Sequence, residues 1–90
     1  MLYLITYDLK LPPQNYCWFH DTVQALGPTC FRCMENMWLL KTNFDVEICA
    51  DRLDPYLDAN DRLLVIDISH QPIQGMLPQR AWDWIKANDD

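Results

Sequence analysis

The opening of the chain, "LYLITY" at residues 2–7, alternates in a way that predicts a strand with two apolar faces. Successive side chains of a strand point to opposite faces, so this stretch divides into two sets. One set comprises Leu2, Leu4 and Thr6, and the other comprises Tyr3, Ile5 and Tyr7. Because both sets are largely apolar, the pattern predicts a central strand of a sheet that is covered on both sides.

Apolar and aromatic residues then recur at the spacing of an α-helix. The loop "LKLPPQN" separates this segment from the first strand, since its two adjacent prolines exclude a helix there. The predicted helix begins at Asn15 or Tyr16, and Gly27-Pro28 is a typical signal for its end. One stripe along the helix contains Tyr16, Phe19, His20, Val23 and Leu26.

A second helix is predicted after Asp45, a residue type that often caps helices. Its apolar stripe contains Val46, Cys49, Leu53, Tyr56 and Leu57. Pro55 must bend this helix or begin a final short turn, because proline cannot donate a backbone hydrogen bond. A third, shorter helix is predicted over residues 76–87, with Pro78 in its first turn.

Three further stretches have the composition of strands. The segments "TCFRCM" (29–34) and "MWLLKT" (37–42) flank the pair "EN", which predicts two short strands joined by a tight turn. The segment "RLLVIDIS" (62–69) predicts the last strand.

The order strand, helix, strand, strand, helix, strand predicts an α+β protein with the ferredoxin-like βαββαβ arrangement. Its four-stranded antiparallel sheet carries two helices on one face, and a short C-terminal helix follows. Ninety residues suit a single domain, with a core at about 1–70 and an extension at about 71–90. The second sheet face then needs a cover, and Trp38, Trp82 and Trp84 are expected to form a partner surface. A homodimer packed through the sheet is the expected cover, with an exposed patch as the alternative.

Acidic residues are concentrated in the second half of the chain. The formal net charge is −6, and residues 45–67 hold seven acids against two arginines. Such a surface repels phosphate backbones, which argues against strong general binding to DNA. Asp51, Asp54 and Asp58 are candidates for a face that binds a basic protein partner by imitating nucleic acid. The simpler alternative is that these acids only confer solubility.

The four cysteines are predicted to be reduced and structural. The segment "CFRC" (30–33) has the spacing of redox and zinc motifs, but residues three apart on a strand point to opposite faces. Cys17 and Cys49 are isolated, so buried apolar cysteine is the favoured interpretation. His20 lies on the apolar stripe of the first helix and is predicted to be a core or interface residue rather than a catalytic base.

The sequence indicates a cytoplasmic protein. It has no basic leader region and no apolar run near the roughly 20 residues that a membrane span requires. No membrane association is therefore expected, and reduced thiols agree with a cytosolic location.

Asp8 follows the first strand directly and has two interpretations. It ends the strand in water, or it holds a metal ion together with its counterpart in a homodimer. Two carboxylates that approach each other repel unless a proton or a cation lies between them. Mg²⁺ is the natural candidate for that cation, and it would activate water for attack on a phosphodiester.

Three stretches of the chain carry a family resemblance. They are "YLITYDL" with the following loop, "NY" and helix; "MWLLKT" at the third strand; and "LDANDRLLVIDIS" before and within the fourth. Together they resemble the Cas-two family, small CRISPR-associated proteins that accompany the integrase in spacer acquisition, and the related VapD-type toxins. The resemblance covers about residues 1–70 and implies a ferredoxin-like homodimer.

The resemblance also implies a function for Asp8. This residue matches the family's acidic residue proposed to bind a divalent metal, here Mg²⁺, for endonuclease action on RNA or DNA. Tyr7, Lys10 and Asn36 are candidate binding residues for such a substrate. Asn36-Met37 replaces the family's usual small hydroxyl residue before the third-strand tryptophan, and Lys10 is the only cation in the loop after Asp8. A non-catalytic interaction module in defence or counter-defence therefore stays open as the alternative.

Overall fold

The structure, a computed structural model, describes residues 1–10 and 16–89. The strands are β1 (Leu2–Asp8), β2 (Thr29–Met34), β3 (Met37–Lys41) and β4 (Arg62–Asp67). The helices are α1 (Cys17–Ala25), α2 (Val46–Leu53) and α3 (Gln79–Asn88), and a 3₁₀ turn at Asp54–Tyr56 follows α2. The predicted double-proline loop lies at residues 11–15, outside the described ranges.

The four strands form one antiparallel sheet with the order β2-β3-β1-β4. β1 is central: Ile5 lies opposite Trp38 of β3 on one side and opposite Val65 of β4 on the other. β2 and β4 are the two edges. The element order and the sheet confirm the predicted α+β class and the ferredoxin-like arrangement.

The first face of the sheet packs against α1 and α2. The odd-numbered residues of β1, which are Tyr3, Ile5 and Tyr7, lie in the same buried cluster as side chains of both helices. The cluster also contains Phe19 and Val23 of α1, Leu26 directly after α1, and Cys49 and Leu53 of α2. The sequence pattern of α1 therefore predicted the buried side of the helix correctly, because an amphipathic helix must place its apolar stripe on the core.

The second face is covered in part by α3 and the segment before it. Leu2, Leu39 and Ile85 form a buried cluster there, and the indoles of Trp82 and Trp84 pack against it. Two hydrogen bonds connect α3 and the residue that follows it, Asp89, to the rest of the chain. Trp84 Nε1 donates to Thr29 Oγ1 at 3.1 Å, and the backbone N–H of His70 donates to the Asp89 carboxylate at 2.9 Å.

The expectation for Trp38 is wrong. Its indole lies in the cluster of the first face, under the helices, and is only 5% exposed. The cause is the strand register: Trp38 lies opposite Ile5, and directly opposed residues of antiparallel strands project from the same face. Trp82 and Trp84 do lie at the second face, where they belong to the chain's own cover.

Three predicted ends of helices can be compared with the structure. Asp45 occupies the N-cap position of α2, although its side chain makes no capping hydrogen bond. Pro55 lies in the 3₁₀ turn that follows α2, as the sequence predicted. α3 begins three residues later than expected, at Gln79, and Pro78 precedes it in an extended conformation.

Candidate functional site

Asp8 is the last residue of β1 and lies opposite Arg62 of β4. Alternation along β1 places its side chain on the second face, on the same side as Leu4 and Thr6. The side chain is 63% exposed, and Lys10 Nζ lies 2.9 Å from its Oδ2. An exposed ion pair of this kind contributes little to stability. Because its side chain is largely exposed, Asp8 is accessible to solvent and to ligands.

Asp61 holds the backbone at Lys10 in place. The backbone N–H of Lys10 donates to Asp61 Oδ1 at 2.8 Å, and that of Asp58 donates to Asp61 Oδ2 at 2.9 Å. These two backbone donors hold the pKa of Asp61 below its usual value, and the nearby cations Lys10 and Arg62 act in the same direction. Asp61 is buried and joins the end of β1 to the start of β4.

Asp61 was not singled out from the sequence. The only signal was "LDAND" before the fourth strand, because aspartate and asparagine often close turns by bonding to backbone N–H groups. Asp61 accepts from the N–H of Lys10, which is 51 positions earlier in the chain. The pairing of β1 with β4 brings these two residues together.

A magnesium ion at Asp8 would find few protein ligands within a single chain. Within the described ranges, no group of three or more His, Cys, Asp or Glu side chains is arranged to hold a metal ion. Both oxygens of Asp61 already accept backbone N–H groups, and the ammonium of Lys10 lies on Asp8. Mg²⁺ is commonly bound by one or two carboxylates with water completing its octahedral shell, so Asp8 and a second carboxylate from another chain would be sufficient protein ligands.

Tyr7 lies inside the protein, at the centre of a small polar network. Its hydroxyl accepts from Trp38 Nε1 at 3.0 Å and is hydrogen-bonded to His20 Nε2 at 2.9 Å. Burial raises the pKa of Tyr7 and lowers that of His20, with the cation of Arg32 adding to the effect on His20. The network satisfies polar groups beneath the helices, and contact between this hydroxyl and a ligand would require it to open.

Asn36 lies in the turn between β2 and β3. Its backbone carbonyl accepts from the N–H of Tyr7 at 3.2 Å and from Thr6 Oγ1 at 3.2 Å. Asn36 therefore extends the pairing of β1 with the hairpin through its main chain, while its exposed side chain stays available as a candidate contact.

The cysteines of "CFRC" lie on opposite faces, as predicted. Cys30 packs against the cluster of the first face and Cys33 against that of the second. Burial raises the pKa of both thiols, which favours the protonated form over the reactive thiolate.

The acidic candidates Asp51, Asp54 and Asp58 are all exposed, on α2 and the turns that follow it. The neighbouring cation Arg52 is placed over the ring of Phe44, with 4.3 Å from its guanidinium carbon to the ring centroid. These carboxylates are available to a partner, but they belong to the helix layer and lie on different elements from Asp8.

The part of the second face beside β4 is apolar and uncovered. Leu64 is 54% exposed and Ile66 is 38% exposed, and we call these two residues the β4 strip. A groove of about 340 Å³ lies between the sheet and the segment that leads into α3. Its lining is mostly apolar and includes Leu4, Met37, Ile73, Leu77 and Trp82. Exposed apolar surface of this kind is typical of a contact site.

The sequence matches no protein-family model and no curated protein. In the ranges 1–10 and 16–89, no helix combines the length and apolar character needed to cross a bilayer. The function is therefore inferred from the geometry of the second face and of the end of β1 at Asp8.

Proposed function

We propose that this chain is a homodimeric protein-interaction module of the cytosol, similar in design to the Cas-two proteins that it resembles in sequence. The observation that supports the proposal is the exposure of the β4 strip. Leu64 and Ile66 project from the sheet beside the region that α3 covers, and they leave apolar side chains in water. Association that buried them would gain about 25 cal/mol for each Å² of apolar surface removed from water.

The exposed carboxylates of α2 support a second contact in the assembled module. Asp51, Asp54 and Asp58 face solvent on the helix layer, away from the β4 strip. A dimer that associates through the sheet leaves both acidic faces accessible, and a basic protein surface is their natural electrostatic complement.

Sedimentation velocity over a range of concentrations tests the proposal. We expect wild type to sediment as a dimer and the double variant Leu64→Lys with Ile66→Lys to sediment as a monomer. Ile48→Lys is the matched control, because Ile48 is exposed to the same extent as Ile66 but lies on α2. A wild-type protein that stays monomeric, or a control that dissociates equally, would refute the proposal.

A Mg²⁺-dependent endonuclease is the second candidate function. The observation in its favour is the position of Asp8, exposed and on the same face as the β4 strip. Face-to-face packing of two sheets would bring two Asp8 carboxylates toward a common axis, where a shared Mg²⁺ would compete with the ammonium of Lys10 for these carboxylates.

The test of this candidate is cleavage of single-stranded RNA and duplex DNA in the presence of Mg²⁺. If the candidate is right, Asp8→Asn abolishes cleavage, while the control Asp21→Asn on the exposed side of α1 retains it. Cleavage that persists equally in both variants would come from a contaminant and would remove the candidate.

A further inference from the structure

The outer edge of β4 offers backbone hydrogen-bonding groups as well as apolar side chains. β4 is the last strand of the sheet and pairs only with β1 among the strands that the structure describes. The exposed edge of a sheet is a template on which another strand can pair.

The hydrogen bonds of β1 identify the backbone groups that point outward. The N–H of Ile68 donates to the carbonyl of Leu2 at 2.9 Å, so Ile68 faces β1. The N–H of Tyr7 donates to Asn36, on the other side of β1, which agrees with this alternation. Since backbone groups alternate in direction along a strand, Leu64 and Ile66 also face β1. The N–H and C=O groups of Leu63, Val65 and Asp67 therefore point away from the sheet.

From this pattern we infer that a second copy of the chain pairs with β4 through its own β4, antiparallel and centred on Val65. In that register, Val65 of the two copies forms a hydrogen-bonded pair, and Leu63 of each copy pairs with Asp67 of the other. Every outward backbone group of these residues then has a partner. The inference rests on the proposed function, for which it specifies the partner and the contact.

The side chains of β4 are complementary in the same register. Leu64 lies directly opposite Ile66 of the second copy on the second face, so both β4 strips become one apolar surface. Leu64 and Ile66 occupy a non-hydrogen-bonded pair, in which opposed side chains are closest. The two exposed residues of each copy thus contact those of the other side by side, and the contact buries part of their apolar surface.

The charges of β4 favour the antiparallel direction. The strand begins with Arg62 and ends with Asp67, and both are exposed. In the antiparallel register, Arg62 lies opposite Ile68 of the second copy and Asp67 lies opposite Leu63, so no two like charges are opposed. Parallel pairing would instead align like charges at both ends. A second copy of the same strand is therefore a suitable complement to this edge.

Edge pairing also fixes where the two Asp8 side chains lie. Asp8 is opposite Arg62, three residues from the centre of the pair and one strand further from the axis. With about 4.8 Å between strands and about 3.4 Å per residue, the two Asp8 residues are about 25 Å apart. At that distance they are too far apart to share a cation in this dimer.

Disulfide cross-linking tests the register. Leu64→Cys and Ile66→Cys are made separately in a Cys17→Ser background, because Cys17 is exposed, and are oxidised alone and as an equal mixture. Both substitutions are at exposed positions, so the fold is expected to persist. A non-hydrogen-bonded pair has the Cβ separation that a disulfide accepts. We expect the mixture to cross-link several-fold more than either variant alone.

Other cross-linking results would overturn the inference in distinguishable ways. Efficient cross-linking of Leu64→Cys with itself would show a different register. Cross-linking of Thr6→Cys with itself, without any at β4, would show face-to-face packing and leave the proposed homodimer intact. Absence of cross-linking together with monomeric sedimentation would remove both the edge pairing and the proposed function.

Discussion

The two faces of the sheet are built from alternating residues of the same strands, but they differ in how completely they are covered. On the first face, two helices enclose Tyr3, Ile5 and Tyr7 of β1. On the second face, α3 covers Leu2 and Leu39, while Leu64 and Ile66 of β4 stay exposed. The first face therefore supplies the closed core that a 90-residue chain needs, whereas the second leaves apolar surface in contact with solvent.

The polar groups of the two faces show the same contrast. Each face has an indole that donates one hydrogen bond to a hydroxyl: Trp38 to Tyr7 at 3.0 Å, and Trp84 to Thr29 at 3.1 Å. The Trp38 bond is buried and the Trp84 bond is only partly buried. An unsatisfied donor is therefore costly on the first face, while water can replace the partner on the second.

The largest expected effect is the truncation of a tryptophan on the first face. Trp38→Ala is expected to lower the free energy of unfolding by about 3–5 kcal/mol, because it opens a cavity in the closed core. Trp82→Ala on the partly covered second face should lower the free energy of unfolding by less. The control Trp18→Ala should change this free energy by no more than about 0.5 kcal/mol, because Trp18 is 72% exposed. Urea denaturation measures all three. Equal losses for Trp38→Ala and Trp82→Ala would contradict the comparison.

Removal of a single hydroxyl gives a sharper test of the polar contrast. Tyr7→Phe leaves the buried N–H of Trp38 without its partner, so the free energy of unfolding should fall by about 1–3 kcal/mol. Thr29→Val removes the matching acceptor of Trp84, whose N–H then reaches water, and should cost about 1 kcal/mol or less. The comparison fails if Thr29→Val costs more in denaturation than Tyr7→Phe.

His20, which lies at the first face, should make the free energy of unfolding depend on pH. Burial and Arg32 lower the pKa of His20, so the unfolded chain takes up a proton at higher pH than the folded protein does. The contribution of His20 to the free energy of unfolding is therefore complete above about pH 6.5, and it falls as the pH drops below that value. The slope reaches at most about 1.4 kcal/mol per pH unit for one proton.

Denaturation at several pH values, with His20→Gln as the variant, measures this slope. We expect the variant to lose the part of the slope that belongs to His20. NMR titration gives the decisive check, since an imidazole of His20 that titrates at or above its ordinary pKa would contradict the assignment.

The smallest expected effect is on the exposed part of the second face. Leu64→Lys should change the free energy of unfolding of the monomer by no more than about 0.5 kcal/mol, because Leu64 is largely in solvent. Denaturation in dilute solution measures this value. A loss above about 2 kcal/mol would show that Leu64 belongs to the core.

The fold was predictable because local patterns and the global arrangement agree. The stripe of α1, the "EN" turn and the apolar alternation of "LYLITY" each predicted an element that the structure contains. The position of Trp38 was not predictable in the same way. A strand with apolar residues on both faces does not indicate which face a given residue joins until its partner in the neighbouring strand is known.

The candidate site was less predictable than the fold. Asp8 was found because it ends an apolar run, and the structure places it at the exposed end of β1. The contacts around it depend on residues far apart in the chain. Lys10 is bonded to Asp61 through its backbone, and Tyr7 is bonded to Trp38 through side chains 31 positions apart. Such pairs follow from strand order and register, which residue spacing alone does not give.

Hydrogen exchange at the amide of Val65 tests the central claim most directly, namely that two copies pair through the edge of β4. Its N–H points away from β1 and would be bonded only in the dimer, whereas that of Ile66 is bonded to β1 in either state. We predict that NMR shows the Val65 amide protected at high protein concentration and exposed on dilution, with Ile66 protected throughout. A Val65 amide that exchanges as fast at high concentration as in the dilute protein would contradict the account.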